Sequence, residues 1–275
     1  MVQVYVGFVW GTQQMGLIAG RRLLALWLCM GALFLCDCGA SGAGAHHDVI
    51  SYGQFARLQI YRPSGAPREL ALLLSGDGGW GPPLETLAAR LAGRGVLVAG
   101  IDVRAWLEVL ERSATSCAAP GAYLADLSRY LQKKYAVSAG PSLLIGHSAG
   151  ASLVYVALAQ ARTHEFAGGL TLSFCADLDL TKPLCPAAPL RAAAHASGAR
   201  LLPGGRLPAP WTDLHGIEDQ VCPAAEGRAF AQAVPGVRFV PLAGVGHSYD
   251  DIDTWWAAFV QSYEELQGSA GSPAP

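Results

Sequence analysis

Leu143-Leu144-Ile145-Gly146-His147-Ser148-Ala149-Gly150-Ala151 is the stretch on which the reading of this chain turns. The apolar run Leu143–Ile145 reads as a short strand, and a helix over Ala149–Ala161 follows without a gap. Between them, Gly146-His147-Ser148-Ala149-Gly150 fits G-x-S-x-G, a sharp strand-to-helix turn that holds its serine in a strained conformation. The turn needs small flanking residues because neighbouring backbone passes close to it. It leaves the Ser148 hydroxyl exposed at the helix N-terminus, where it can act as a nucleophile.

A serine hydroxyl is inert near neutral pH without a base, and the base needs an acid to orient it. On the α/β-hydrolase fold, to which this turn points, the three groups follow in the order Ser, Asp or Glu, His. The histidines after Ser148 are His164, His195, His215 and His247. His247 lies after the last expected strand and before the last helix, where the fold delivers its base. His195 falls in an irregular stretch, and His215 ends a strand too early for an acid to follow it and still close the triad. The acid belongs on the loop Gly216-Ile217-Glu218-Asp219-Gln220-Val221-Cys222-Pro223, after the penultimate strand. Asp219 is the expected residue. Glu218 is its neighbouring competitor, Asp213 lies within the strand, and Asp177 or Asp179 would serve if the acid sat one strand earlier.

An oxyanion hole takes two backbone donors. By position these are the N–H groups of Ala149, after the nucleophile, and of Asp77 in the loop Ser75-Gly76-Asp77-Gly78-Gly79-Trp80. A carboxylate beside a developing negative charge opposes it unless turned away, so Asp77 either faces a cationic group of the substrate or bonds its own turn. Trp80, in the same loop, is a candidate substrate contact.

Working outward, strands are expected at Phe55–Tyr61, Glu69–Leu74, Val96–Ile101, Leu170–Phe174, Trp211–Leu214 and Val237–Val240. Helices are expected at Leu84–Leu91, Tyr123–Tyr135, Ala224–Ala233 and Thr254–Leu266. Such alternation implies an α/β fold, a mostly parallel sheet with helices on both faces. The Pro/Ala/Gly-rich stretch Thr181–Pro210 reads as a small irregular insertion or cap over the site. With 275 residues, 52% of them hydrophobic, one domain over 46–267 is expected, followed by a disordered Gly/Ser/Pro/Ala tail over 268–275. The net charge of −2, without a basic face, excludes a nucleic-acid partner.

Residues 1–45 read as a secretory signal peptide: Arg21-Arg22, the apolar run Leu23–Leu35, and small residues up to Ala43-Gly44-Ala45, with Met15 as an alternative start. An uncleaved anchor is the competing reading, and cleavage would leave no membrane span. Export places the chain in the periplasm. Of seven cysteines, Cys29, Cys36 and Cys38 lie in or beside the signal segment, and Cys117, Cys175, Cys185 and Cys222 remain. Four cysteines in an oxidising compartment favour disulfides, with three full pairings open.

Leu74-Ser75-Gly76-Asp77-Gly78-Gly79-Trp80, Gly146-His147-Ser148-Ala149-Gly150-Ala151, Asp219-Gln220-Val221-Cys222-Pro223 and Gly246-His247 together resemble the bacterial virulence proteins VirJ and AcvB, over about residues 50–267. The chain departs from the family pattern at His147, where an aromatic residue is common, and in its long insertion. The resemblance implies a periplasmic α/β-hydrolase whose partner is a membrane phospholipid derivative, an aminoacyl-phosphatidylglycerol such as the lysyl form. Its ammonium would give Asp77 a cation to face. No metal and no organic cofactor are implied. The alternatives are a general periplasmic esterase or lipase, and a non-catalytic hydrolase-like factor serving a secretion machine.

Overall fold

A strand with apolar residues at nearly every position can bury both faces, and Glu69–Leu74 does so in the computed structural model, which describes residues 46–137 and 140–270. Leu70, Leu72 and Leu74 join one core and Ala71 and Leu73 another, as the two-residue period of a strand requires. In chain order the elements are β1 (His46–Tyr52), β2 (Phe55–Arg62), β3 (Glu69–Leu74), α1 (Pro82–Gly93), β4 (Val96–Ile101), α2 (Val103–Arg112), α3 (Pro120–Tyr135), β5 (Leu143–His147), α4 (Ala149–Gln160), β6 (Gly168–Leu172), β7 (Asp177–Leu178), β8 (Arg191–His195), β9 (Gly198–Leu202), β10 (Trp211–Gly216), α5 (Ala224–Ala233), β11 (Arg238–Leu242) and α6 (Ile252–Ala270).

Eight strands form one sheet in the order β1-β2-β4-β3-β5-β6-β10-β11. From β4 to β11 all neighbours are parallel, while β1 and β2 add antiparallel at one edge. Parallel neighbours need crossovers, and here helices cover both faces. α1 and α6 pack on one face through Leu87, Leu91, Trp255 and Phe259. The other face takes α2, α3, α4 and α5 through Trp106, Leu127, Leu153 and Phe230. β11 is the second edge, and most of its residues are exposed or half-buried. The described residues fall within one compact unit, Gly42–Pro275.

The structure adds to the expected elements. β1 is an exposed edge strand. α2 was not expected, although Val103, Trp106, Leu107 and Leu110 give it a buried face at helical spacing. Asp102 starts it, accepting from the Ala105 N–H at 3.1 Å. The Thr181–Pro210 stretch is not irregular throughout: β8 and β9 lie within it, and with β7 they form an antiparallel three-stranded sheet. α6 runs to Ala270, into the stretch expected to be a disordered tail. The signal segment 1–45 and residues 271–275 lie outside the described residues. Among the described residues no helix is long and apolar enough to cross a membrane. Of the three cystine pairings left open, the chain adopts Cys117–Cys185 and Cys175–Cys222.

Candidate active site

Ser148 stands between β5 and α4, capping the helix with φ 54° and ψ −120°. A non-glycine residue there carries strain of about 1–3 kcal/mol, which the surrounding packing must hold. Both flanking glycines are required by close approach. A Cβ on Gly146 would lie 2.4 Å from the Gly150 carbonyl oxygen, and one on Gly150 would lie 2.3 Å from that of Ser75. The Ser75 hydroxyl in turn accepts from the Val103 N–H at 2.9 Å, so the turn, the β3 loop and α2 are locked together.

His247 brings Nε2 to 3.1 Å from Ser148 Oγ, and its Nδ1 lies 2.8 Å from Asp219 Oδ2. The other carboxylate oxygen of Asp219 accepts the N–H groups of Val221 and Cys222, both at 2.8 Å. Burial pushes the Asp219 carboxyl upward. Hydrogen bonds from Ser173, His247 and the Cys222 and Val221 N–H groups outweigh that and hold it below the usual carboxylate range. His247 keeps 21% of its side chain exposed, while the Asp219 side chain is fully covered. His147, beside Ser148, donates from Nε2 to the His247 carbonyl at 2.7 Å and so ties the His247 loop to the turn. Burial is the main cause that lowers the His147 pKa, favouring the neutral ring.

The other candidate acids lie elsewhere. Asp177 pairs with Arg200 at 2.9 Å and Asp179 is exposed. The Glu218 backbone N–H bonds the Val245 carbonyl. Asp213 is buried within β10.

Two cavities meet at this point. One of about 600 Å³ is lined by Asp77, Ser148, Ala149, Phe174, Val221 and Phe230, among others. The second, about 250 Å³, has His147, His247, Leu84, Leu87 and Trp255 in its walls. Asp77 borders both, is exposed, and has no ion-pair partner among the described residues. Its loop is held from behind by Arg104, which donates to the carbonyls of Asp77 at 2.8 Å and Gly78 at 3.0 Å. Trp80 lines neither cavity. Its ring packs over Gly100, where the missing side chain makes room, and approaches Tyr61 at 6.3 Å between centroids.

A mostly parallel sheet, helices on both faces, and a serine at the β5–α4 turn define the architecture. The fold is that of the α/β-hydrolases. Solved structures of this class superpose on the chain. Est1E from Butyrivibrio proteoclasticus is 17% identical, with a TM-score of 0.53, covering 82% of this chain and 99% of its own. The esterase domain of a Rhodothermus marinus protein gives 16% and 0.51, with 81% and 98% covered. Thermogutta terrifontis esterase 2, phosphorylated by paraoxon, gives 18% and 0.52, with 84% and 96% covered. No curated protein matches the chain. Residues 68–168 match the family described as bacterial virulence protein (VirJ). That segment of the hydrolase fold holds the Asp77 loop and the Ser148 turn, and it ends before Asp219 and His247.

Sequence reasoning passed over several residues that shape this site. Tyr249 is buried; its hydroxyl donates to the Leu214 carbonyl at 2.8 Å and accepts the Gly216 N–H at 3.2 Å, fixing the end of β10. Nothing in its local sequence signals this. His215 and Asp213 stand two apart on β10, a spacing that puts both on one face of a strand, and they bond each other at 2.8 Å. Asp219, Cys222 and His247 are also near enough to suggest a metal site. The Cys222 sulfur is taken by its disulfide, and Asp219 and His247 are bonded to each other.

Proposed function

We propose that the chain is an exported serine esterase that cleaves the ester of an aminoacyl-phosphatidylglycerol, the lysyl form among them. The observation that carries the reading is the line from Ser148 Oγ through the His247 ring to Asp219, at 3.1 and 2.8 Å, opening on a cavity bordered by Asp77. His247 Nε2 takes the Ser148 proton as Oγ attacks the ester carbonyl. The Ala149 and Asp77 N–H groups receive the oxyanion, a role in which one donor is worth about 3 kcal/mol of barrier. The protonated ring gives its proton to the departing glycerol oxygen. Water, deprotonated by His247, then releases the amino acid from Ser148. The Asp77 carboxylate suits an ammonium close to the scissile carbonyl, and the apolar walls of the smaller cavity suit an apolar part of the lipid. Two disulfides and the signal-like residues 1–45 favour a periplasmic location.

The test is labelling with a fluorophosphonate probe, followed by a substrate panel. Label on the wild type and none on Ser148→Ala is the expected result; a wild type that takes no label sinks the enzyme reading and leaves the accessory factor. Preference for lysyl-phosphatidylglycerol over short acyl esters supports the lipid. Equal or lower rates on it point to a general esterase.

A further inference from the structure

Behind the triad lies a second histidine that the mechanism above does not use. His215 is wholly buried, and both of its ring nitrogens meet acceptors: Nδ1 lies 2.8 Å from Asp213 Oδ2, and Nε2 lies 2.7 Å from the Cys222 carbonyl. A carbonyl has only lone pairs to offer, so Nε2 carries a proton. The state of Asp213 decides the other nitrogen. Its Oδ1 accepts from the Thr171 hydroxyl at 2.7 Å and the Phe174 N–H at 3.2 Å. The Thr171 oxygen accepts from Trp211 Nε1 at 2.8 Å, and of the two acceptors within reach of its hydrogen Asp213 Oδ1 is much the nearer, the Thr212 carbonyl lying at 3.4 Å. Donors converging on a carboxyl favour its ionised form. Asp213 is then a carboxylate, and the ring donates at both ends.

We infer that His215 is an imidazolium held beneath the acid loop, and that it is a positioning residue which keeps Asp219 ionised and aimed at His247. Its Nε2 lies 4.0 Å from Asp219 Oδ2, the oxygen that bonds His247. Without a cation between them, two buried carboxylates would face each other uncompensated, an arrangement proteins avoid. The same Nε2 grips Cys222, whose N–H bonds Asp219, so the ring closes the acid loop from below.

The neighbours leave His215 no other partner. α5 abuts the ring at Gly227, where a Cβ would lie 2.6 Å away, and Phe239 of β11 stacks on it at 5.6 Å. The titratable and charged groups around it are Asp213 on its own strand, Asp219 and then His247 on the triad side, the Tyr249 phenol bonded to the same strand, and Arg228 of α5 over Phe239. Burial by itself would lower the pKa of the ring. The hydrogen bond and charge of Asp213, with the Cys222 carbonyl and Asp219, outweigh burial and raise it.

The inference rests on the triad reading, and its test separates the two. Histidine-selective ¹⁵N NMR of the wild-type protein should show one ring with both nitrogens protonated well above the ordinary histidine pKa of about 6.5. Its contact with Phe239 assigns that ring without any variant. A single protonated nitrogen overturns the inference. Kinetically, with active sites counted by fluorophosphonate, His215→Gln should lower kcat about tenfold per site, as losses one shell away from reacting groups do, with KM unchanged. The acid limb of kcat/KM should move to higher pH, because His247 loses a neighbouring cation. An unmoved limb and an unchanged kcat per site would mean that His215 only supports the fold. If the wild type takes no label, the esterase reading fails while the ring spectrum still decides the charge.

Discussion

Two histidine–aspartate couples sit back to back in this protein, and each has an Nδ1–carboxylate distance of 2.8 Å. The His247–Asp219 couple has one ring nitrogen left over, aimed at a serine, and its ring is partly exposed. In the His215–Asp213 couple that nitrogen is taken by a backbone carbonyl and the ring is sealed. The pairing alone therefore does not make a base. A base needs a free lone pair that a substrate proton can reach; a ring with both nitrogens engaged as donors can only hold charge and position. The first couple should govern rate directly, and the second should govern stability first and rate only modestly, through its hold on Asp219; each prediction below probes that division.

The largest effect belongs to Ser148→Ala, which removes the group the open couple serves. Esterase turnover should fall on the order of 10⁶-fold, with melting temperature nearly unchanged. Turnover above a trace would break the assignment of the nucleophile. Next, Asp219→Asn should cut kcat by about 10⁴-fold by misorienting the His247 ring. Near-normal rates, with Asp177→Asn or Asp179→Asn inactive instead, would move the acid to the loop after β6. Asp213→Asn should reverse the pattern. It leaves His215 without its buried counter-ion and should destabilise the fold by about 3–5 kcal/mol, measured by urea unfolding, while kcat per labelled site falls far less than with Asp219→Asn.

The couples also differ in how stability follows pH. The raised His215 pKa means that its contribution is complete below the ordinary histidine range and is lost as pH rises through the folded value. The lowered Asp219 pKa works on the other side: its contribution is present above the ordinary carboxylate range and fades as pH falls through the folded value. The stability gap between wild type and Asp213→Asn should accordingly narrow on the alkaline side; a gap that widens there would contradict the buried cation. The smallest effect is expected at Asp77, which is exposed and solvent-screened. Asp77→Asn keeps the backbone N–H, so it should lower kcat/KM for an aminoacyl ester about two- to fivefold relative to a neutral short-chain ester. Equal loss on both substrates would make Asp77 a shaper of its loop alone.

The distance over which each feature acts sets how much of it can be read from sequence. The Ser148 turn is local, with every determinant within five residues. Asp219 and His247 are readable because a parallel sheet delivers its loops in a fixed order. His215 was read as the end of a strand, but its pairing with Asp213, two positions back on the same face, was missed. α2 was equally readable from its apolar spacing. β8 was not, because Ala192-Ala193-Ala194 carries no alternation of polar and apolar residues. The orientation of Trp80 depends on Gly100, on a neighbouring element, and no local pattern reports it. The cystine pairing depends on where four distant loops meet.

His247 follows β11, and β11 is an edge strand with most of its residues in contact with water. Edges and termini are where local opening costs least, well below global unfolding. His247 thus hangs from one of the more easily frayed parts of the sheet, while Ser148 follows β5, which has strands on both sides. On the proposed mechanism, turnover reports on the margin of the sheet rather than its middle. In rising denaturant, activity should fade while the buried tryptophans still give a native signal, and amide exchange in β11 should outpace that in β3 and β5.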